Sequence, residues 1–255
     1  MNLLVDIGNS RLKSAFSPPG TVKIEPFTPF AWRDTSRPSA AVVDEFGQLL
    51  DDLWSSITPE RIIVCNVAGE VVLAALSAWC GKKGWPDFEL CESGESFDGL
   101  INGYANPLQL GSDRWAAMIG ARAENKGALC IIDSGTATTV DLVDQRGQHL
   151  GGAIFPGVNT MRRALNTYTA GLFDSSGNIQ PFANATKQGI AGGTGYASAG
   201  AIDRFVDEAL LELTPLTVIF TGGEASLVAP LLRNTVVVDE LLVLKGLDTY
   251  AGRQI

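Results

Sequence analysis

The sequence predicts an α/β fold with mixed sheets, organised as two related halves. Three observations carry this. "NLLVDIGNS" (2–10), "ALCIIDSGTATTVDLV" (128–143) and "TVIFTGGEAS" (217–226) each run apolar and β-rich, then break into a glycine turn with hydroxyl or amide side chains. The first two share the pattern apolar-apolar-Asp-x-Gly-polar, and their aspartates stand 127 residues apart in a chain of 255. An offset of half the chain suggests two halves that each open with a strand and a turn. After the opening hairpins, strand and helix patterns alternate.

The first strand, ending at Asp6, turns into "SRLKSAFS" (10–17) and then "TVKIEPF" (21–27). Period-3.6 apolar spacing predicts helices over 44–57 and 68–84, with a buried strand, "IIVCNV", at 62–67 between them. "DRWAAMIGARAENKG" (113–127) reads as a helix closed by a C-terminal glycine, and it is the natural link between the halves. The second half opens with the strand ending at Asp133, continues through "ATTVDLVD", turns at "QRGQ" and returns as "HLGGAIFPG". "TGYASAGAIDRFVDEALLEL" (194–213) is its longest amphipathic helix, and "TVVVD" (235–239) reads as another buried strand.

Bulk properties narrow the function. At 45% hydrophobic and 18% charged the composition is ordinary for a globular chain that buries a substantial core. The net charge of −9 is a poor match to nucleic acid, where affinity comes from Lys and Arg neutralising phosphates, and Arg162-Arg163 and Lys82-Lys83 are isolated pairs. No run approaches the roughly 20 apolar residues of a membrane span, and the N-terminus lacks the long apolar region of a signal peptide. Cys65, Cys80, Cys91 and Cys130 are widely spaced, which fits reduced thiols in a cytoplasmic protein rather than a metal site or disulfide framework. His149, the only histidine, has no G-x-S-x-G elbow to serve and reads as a surface residue near a strand end.

The Asp-x-Gly turns and the Gly-Gly turn carry the chemistry. Glycine lets the main chain approach phosphate oxygens, and exposed N–H groups donate to them. Hydroxyls on Ser10, Ser134, Thr136, Thr138 and Thr139 add donors, while Asp6 and Asp133 could hold a cation against the phosphates. A single such turn can equally be a plain hairpin; two at matching strand ends, joined by "TGGEAS", favour a phosphate clamp. Asp113 in "GSDR" could accept a proton from a nucleophile, or cap its helix beside Arg114. Arg114 suits a fork-like contact to a carboxylate or a structural ion pair, and Tyr104 suits a site or a core with its hydroxyl satisfied.

The three glycine-turn segments resemble the phosphate-1, phosphate-2 and adenosine motifs of the acetate and sugar kinase/Hsp70/actin superfamily. "GYANPLQLGSDRWAAMIGA" (103–121) resembles the substrate segment of the type III pantothenate kinases, the family that includes the Bvg accessory factors. The likeness continues through "DIGNSRLK", "DSGTATTVDLV", "LGGAIFPG", "TGG" and "ELLVLKGL", almost end to end. The resemblance implies two ribonuclease H-like, actin-like ATPase domains with an ATP cleft between them: residues 1–115 with the phosphate-1 loop, and 116–255 with the phosphate-2 and adenosine motifs. It implies ATP-dependent phosphorylation of pantothenate, the first step of coenzyme A synthesis, by a cytoplasmic homodimer using Mg²⁺ and a monovalent cation, K⁺ or NH₄⁺.

Carried over by position, the resemblance makes Asp6, Ile7, Gly8, Asn9, Ser10, Arg11, Leu12 and Lys13 the first ATP-phosphate loop, with Asp6 near Mg²⁺. Asp113 becomes the general base for the pantothenate hydroxyl. Tyr104, Gly111, Ser112, Asp113, Arg114 and Thr186 become pantothenate contacts, Thr186 from near a dimer interface. Asp133 becomes the monovalent-cation ligand and Thr136 an ATP contact. Ser stands at position 10 where the family commonly has Thr, and at 134 where it frequently has Cys; both stay small. Two other readings use the same features: a phosphatase on this fold, which needs a further carboxylate to orient water, and a non-catalytic regulator that senses a nucleotide or metabolite. The segment 158–196, rich in small and apolar residues, is the expected interface between copies.

Overall fold

The structure is a computed structural model that describes the chain except residues 19–23, 32–38, 56, 173–176 and 254–255, and the side chains of 39–45 and 253. Residues 21–23 of the expected strand 21–27 lie outside the described residues. The first unit comprises Met1–Asp98, Tyr104–Glu124 and Leu241–Ile255, and the second Gly99–Gly103 and Asn125–Glu240.

In the first unit β1 (Asn2–Ile7) turns into β2 (Arg11–Ser17), and β3 (Glu25–Pro26) and β4 (Phe30–Ala31) add to the outer edge of β2. Helix α1 (Ser39–Trp54) leads to β5 (Arg61–Asn66), then α2 (Glu70–Lys83) and β6 (Phe88–Leu90). The sheet order is β3-β2-β1-β5-β6. β1 is antiparallel to β2 and parallel to β5, which places both Lys13 and Cys65 beside Asp6. Alternate residues Leu3, Val5 and Ile7 of β1, with Ile62 and Val64 of β5, pack against Phe46, Leu50 and Trp54 of α1 and Val72, Leu76 and Trp79 of α2. Along the chain, the short strand β7 (Ser96–Phe97) of this unit and β8 (Leu100–Ile101), which belongs to the second unit, precede α3 (Ser112–Glu124) of the first.

The second unit repeats the wiring. β9 (Ala128–Ser134), β10 (Ala137–Val143) and β11 (His149–Pro156) form an antiparallel meander, followed by α4 (Val158–Tyr168), α5 (Thr186–Glu212), β12 (Leu216–Thr221), the single turn α6 (Ala225–Val228) and β13 (Val237–Val238). The order is β11-β10-β9-β12-β13, with β12 parallel to both β9 and β13. The relation of β1 to β2 and β5 is thus that of β9 to β10 and β12. Asp133 occupies in β9 the place that Asp6 occupies in β1, near the carboxyl end with a parallel neighbour, here Thr221.

The final helix, α7 (Leu242–Arg253), belongs to the first unit, where it packs on α3 and β1. A division at 115/116 would cut α3, and the compact units are drawn differently. Gly246 explains why: a Cβ there would lie 1.8 Å from the Ala116 carbonyl oxygen, so the backbones of α3 and α7 meet directly.

Several expectations are revised. Helix α5 begins at Thr186, eight residues before the predicted start at 194, because tertiary contact overrides the weak propensity of "GIAGG". At Gly192 a Cβ would lie 2.1 Å from the Gln180 carbonyl oxygen. β13 is shorter than the run 235–239 and its residues are exposed rather than buried. His149 is buried, not on the surface; its Nε2 lies 2.9 Å from Asp141 Oδ1, also buried. All four cysteines are free and buried.

Candidate active site

In the first unit the site grows from the carboxyl ends of β1 and β5. Asp6 is 7% exposed, and the Cys65 thiol donates to its Oδ1 at 3.3 Å. Burial raises the Asp6 pKa, while the Lys13 ammonium across the ladder and the thiol bond oppose the rise. The turn after β1 closes with the Gly8 N–H donating to the Arg11 carbonyl at 3.0 Å. Of the eight loop residues, Ile7 and Leu12 put their side chains into the core, so only their backbone can serve a ligand.

The adjoining end of β5 positions α3. Ser112 Oγ donates to the Asn66 carbonyl at 3.2 Å, and Ser93 Oγ donates to the Leu110 carbonyl at 2.8 Å. These bonds hold Gly111 to Arg114 as the opening turn of the helix, where the Arg114 N–H donates to Asp113 Oδ1 at 2.8 Å. The Cys65 thiol is pushed well above its ordinary pKa by burial first, then by the charges of Asp6 and Asp113. Asp6 stands opposite Cys65, and the next residue of β5, Asn66, holds Ser112 at the start of α3, so two acids 107 positions apart in sequence, Asp6 and Asp113, lie on elements that meet at the end of β5. Buried Arg114 donates through Nη1 to Tyr104 Oη at 2.8 Å, with its guanidinium carbon 5.5 Å from the centre of the Tyr104 ring. Four substrate residues expected from sequence, Tyr104, Ser112, Asp113 and Arg114, thus occupy one patch.

In the second unit Asp133 is half-buried at the end of β9, and Thr136 is exposed at the tip of the following turn. The Thr136 carbonyl accepts from the Gly157 N–H at 3.1 Å and from Thr160 Oγ at 2.6 Å. The hydroxyls of Ser134 and Thr138 turn inward and lie 3.0 Å from each other, so these two serve the protein's own frame. Gly222 has φ +97°, and a Cβ there would lie 2.3 Å from both Asp133 Oδ1 and the Ser134 carbonyl oxygen. The missing side chain leaves a cradle faced by these two oxygens and, at 2.6 Å, the Ser134 backbone nitrogen; the oxygens are hard donors that suit an alkali-type cation rather than a soft metal. Among the described residues no group of three His, Cys, Asp or Glu could hold a metal by itself. A single carboxylate such as Asp6 suits Mg²⁺ only where substrate phosphates complete the shell.

Glu224 was not singled out by the sequence reading. It is 5% exposed and accepts from the Val158 N–H at 2.8 Å, the Asn159 N–H at 2.9 Å and Ser134 Oγ at 3.3 Å. The only signal in sequence was an acid directly after the Gly-Gly turn of "TGGEAS". Thr186 is the exposed first residue of α5 and lines an apolar groove of ≈ 770 Å³ with Pro156, Met161, Leu165, Tyr168 and Ile190.

A family model described as type III pantothenate kinase matches residues 2–208. The type III pantothenate kinase of Paracidovorax citrulli (strain AAC00-1) is 34% identical over 266 aligned residues, covering 99% of this chain and 98% of its own. Among solved structures, a Campylobacter jejuni protein described as a Baf family transcriptional activator aligns over 99% of this chain and 98% of its own, with TM-score 0.60 and 22% identity. The inorganic polyphosphate/ATP-glucomannokinase of Arthrobacter sp. strain KM aligns over 100% of both chains, with TM-score 0.52 and 16% identity. At such identities the two structures speak to fold alone, and the fold shared is one of mixed sheets flanked by helices. Family membership rests on the sequence match, which runs through the loop of Asp6, the segment of Asp113 and the turn of Asp133: this chain belongs to the type III pantothenate kinases.

Proposed function

We propose that this chain transfers the γ-phosphoryl group of ATP to the primary hydroxyl of pantothenate, giving 4′-phosphopantothenate and ADP, the first step of coenzyme A synthesis. The observation that carries the reading is the family match through the Asp6 loop and the Asp113 segment, with β1 and the start of α3 both fixed to the carboxyl end of β5. Phosphoryl transfer needs positioning, charge neutralisation and a proton acceptor more than covalent chemistry from the protein. Asp113 takes the hydroxyl proton as the oxygen bonds to phosphorus, and the bond from phosphorus to the ADP oxygen breaks. Arg114 and Tyr104, already paired, present a fork and a hydroxyl to the pantothenate carboxylate and polar groups, with Gly111 and Ser112 alongside.

The backbone of Asp6 to Lys13 and Thr136 bind ATP phosphates, and the Lys13 charge offsets theirs. Asp6 would hold Mg²⁺, which when bound neutralises phosphate charge; Asp133, with the cradle at Gly222, would hold K⁺ or NH₄⁺. Thr186 and its apolar groove are assigned to a homodimer interface, where Thr186 contacts pantothenate. The chain works in the cytoplasm, in keeping with the absence, among the described residues, of any helix long and apolar enough to cross a membrane. ADP release that depends on pantothenate tests this reading; ADP release at the same rate without pantothenate would mark a phosphohydrolase instead.

A further inference from the structure

We infer that Glu224 is a positioning residue for nucleotide binding, the buried carboxylate from which the phosphate-2 turn is hung. The inference rests on the kinase reading for the role of that turn and goes beyond it in assigning Glu224. Two separate segments, the end of β9 and the start of α4, meet at this one side chain. Oε1 accepts from the Asn159 N–H, and Oε2 accepts from the Val158 N–H and from Ser134 Oγ. The Glu224 N–H donates to the Ser134 carbonyl at 2.9 Å. Gly157 allows the approach, since a Cβ there would lie 1.9 Å from the Gly135 carbonyl oxygen and 2.9 Å from Glu224 Oε2.

Both flanks of the turn therefore end on the same frame. Ser134 is tied to Glu224 directly. Thr136 is tied through its carbonyl to Gly157 and Thr160, at the start of α4, whose first two helical N–H groups Glu224 takes. A helix N-terminus favours a negative partner, and bonds to a carboxylate are stronger than bonds between neutral groups. A phosphate-binding turn must be held to within about 0.5 Å to be useful, and that is what the shared carboxylate supplies. A glutamine keeps the volume but presents one oxygen and one NH₂, so against two backbone N–H donors one position pairs donor with donor.

The test measures binding of Mg·ADP by titration calorimetry, steady-state kinetics in ATP and pantothenate, and far-UV circular dichroism. The proteins are the full-length wild type, Glu224→Gln and Ser134→Ala. Glu224→Gln is expected to weaken Mg·ADP binding and raise KM for ATP about tenfold, as loss of a charged hydrogen bond implies, with KM for pantothenate within about threefold of wild type. Ser134→Ala, which spares the bonds to α4, is expected to weaken nucleotide binding about threefold, and it decides the matter if Glu224→Gln does not fold. Unchanged nucleotide affinity in a folded variant overturns the inference while leaving the kinase reading intact. Parallel loss of affinity for both substrates overturns it too, since general loosening predicts that. Failure of the wild type to bind Mg·ADP overturns both.

Discussion

Asp6 and Cys65 stand opposite each other on the parallel β1–β5 ladder, with the thiol donating to the carboxylate at 3.3 Å. The contact ties a buried acid to a neutral donor, and Asp113 adds its charge from the start of α3. A thiolate here would meet two negative neighbours and no water, which is why the thiol stays protonated.

The first prediction follows from that environment. Burial pushes Cys80 up to about 11 and Cys91 and Cys130 up to about 12, and Cys65 moves the same way. Native protein at pH 8 is expected to react negligibly with a thiol reagent such as 5,5′-dithiobis(2-nitrobenzoate), and denaturant should release all four thiols. Rapid labelling of Cys65 in the folded protein would contradict the described packing.

Gly222→Ala tests the cation cradle. The new Cβ would enter within 2.3 Å of Asp133 Oδ1 at a φ of +97°, so the variant is strained and its cradle is filled. Activity is expected to fall at least about tenfold, with weaker dependence on K⁺ or NH₄⁺ than wild type. The wild type should need one of those cations; full activity in Na⁺ and Mg²⁺ alone would refute the role given to Asp133.

Gly246→Ala tests how α7 holds α3. A methyl group directed at the Ala116 carbonyl, 1.8 Å away, forces two helix backbones apart and should cost about 1–3 kcal/mol. Thermal unfolding reads this as a fall of Tm by several degrees, at about 2–4 °C per kcal/mol for a chain of this size. An unshifted Tm would show that the helices separate freely.

What the sequence made legible was whatever depends on local pattern. The two Asp-x-Gly turns announced equivalent strand ends, and the sheets place Asp6 and Asp133 in equivalent strands, each between an antiparallel and a parallel neighbour. The substrate segment of Tyr104, Asp113 and Arg114 could be read from its motif. Contacts made at long range left no such trace. Helix α5 starts at Thr186 because Gly192 lets its backbone meet Gln180, a reason that lies outside the helix itself. Glu224 gathers donors from Ser134, Val158 and Asn159, and its meaning depends on loops 65 or more positions away. His149 is buried because Asp141, across a hairpin, supplies its partner.

Asp203 gives the pH dependence. Burial alone would raise its pKa, but backbone and side-chain bonds from Arg233 and Asn234 outweigh burial and hold it below 3.8. A carboxylate lowered on folding stabilises the native state above its unfolded pKa and loses that contribution as pH falls through the folded value. Asp203→Asn should therefore destabilise the protein by about 1–3 kcal/mol at pH 7, the cost of weakening these partly buried, charge-assisted bonds. The deficit should shrink as pH drops below 3.8. A deficit that is constant with pH, measured by urea unfolding, would contradict the assignment.

Wild-type and Asp113→Asn proteins incubated with Mg·ATP, K⁺ and pantothenate, and followed by mass spectrometry, test the whole account most directly. The wild type should convert pantothenate to 4′-phosphopantothenate, and the variant should do so at least about 10²-fold more slowly, as loss of a general base requires. No phosphorylated product from the wild type, or equal rates from the two proteins, would contradict it.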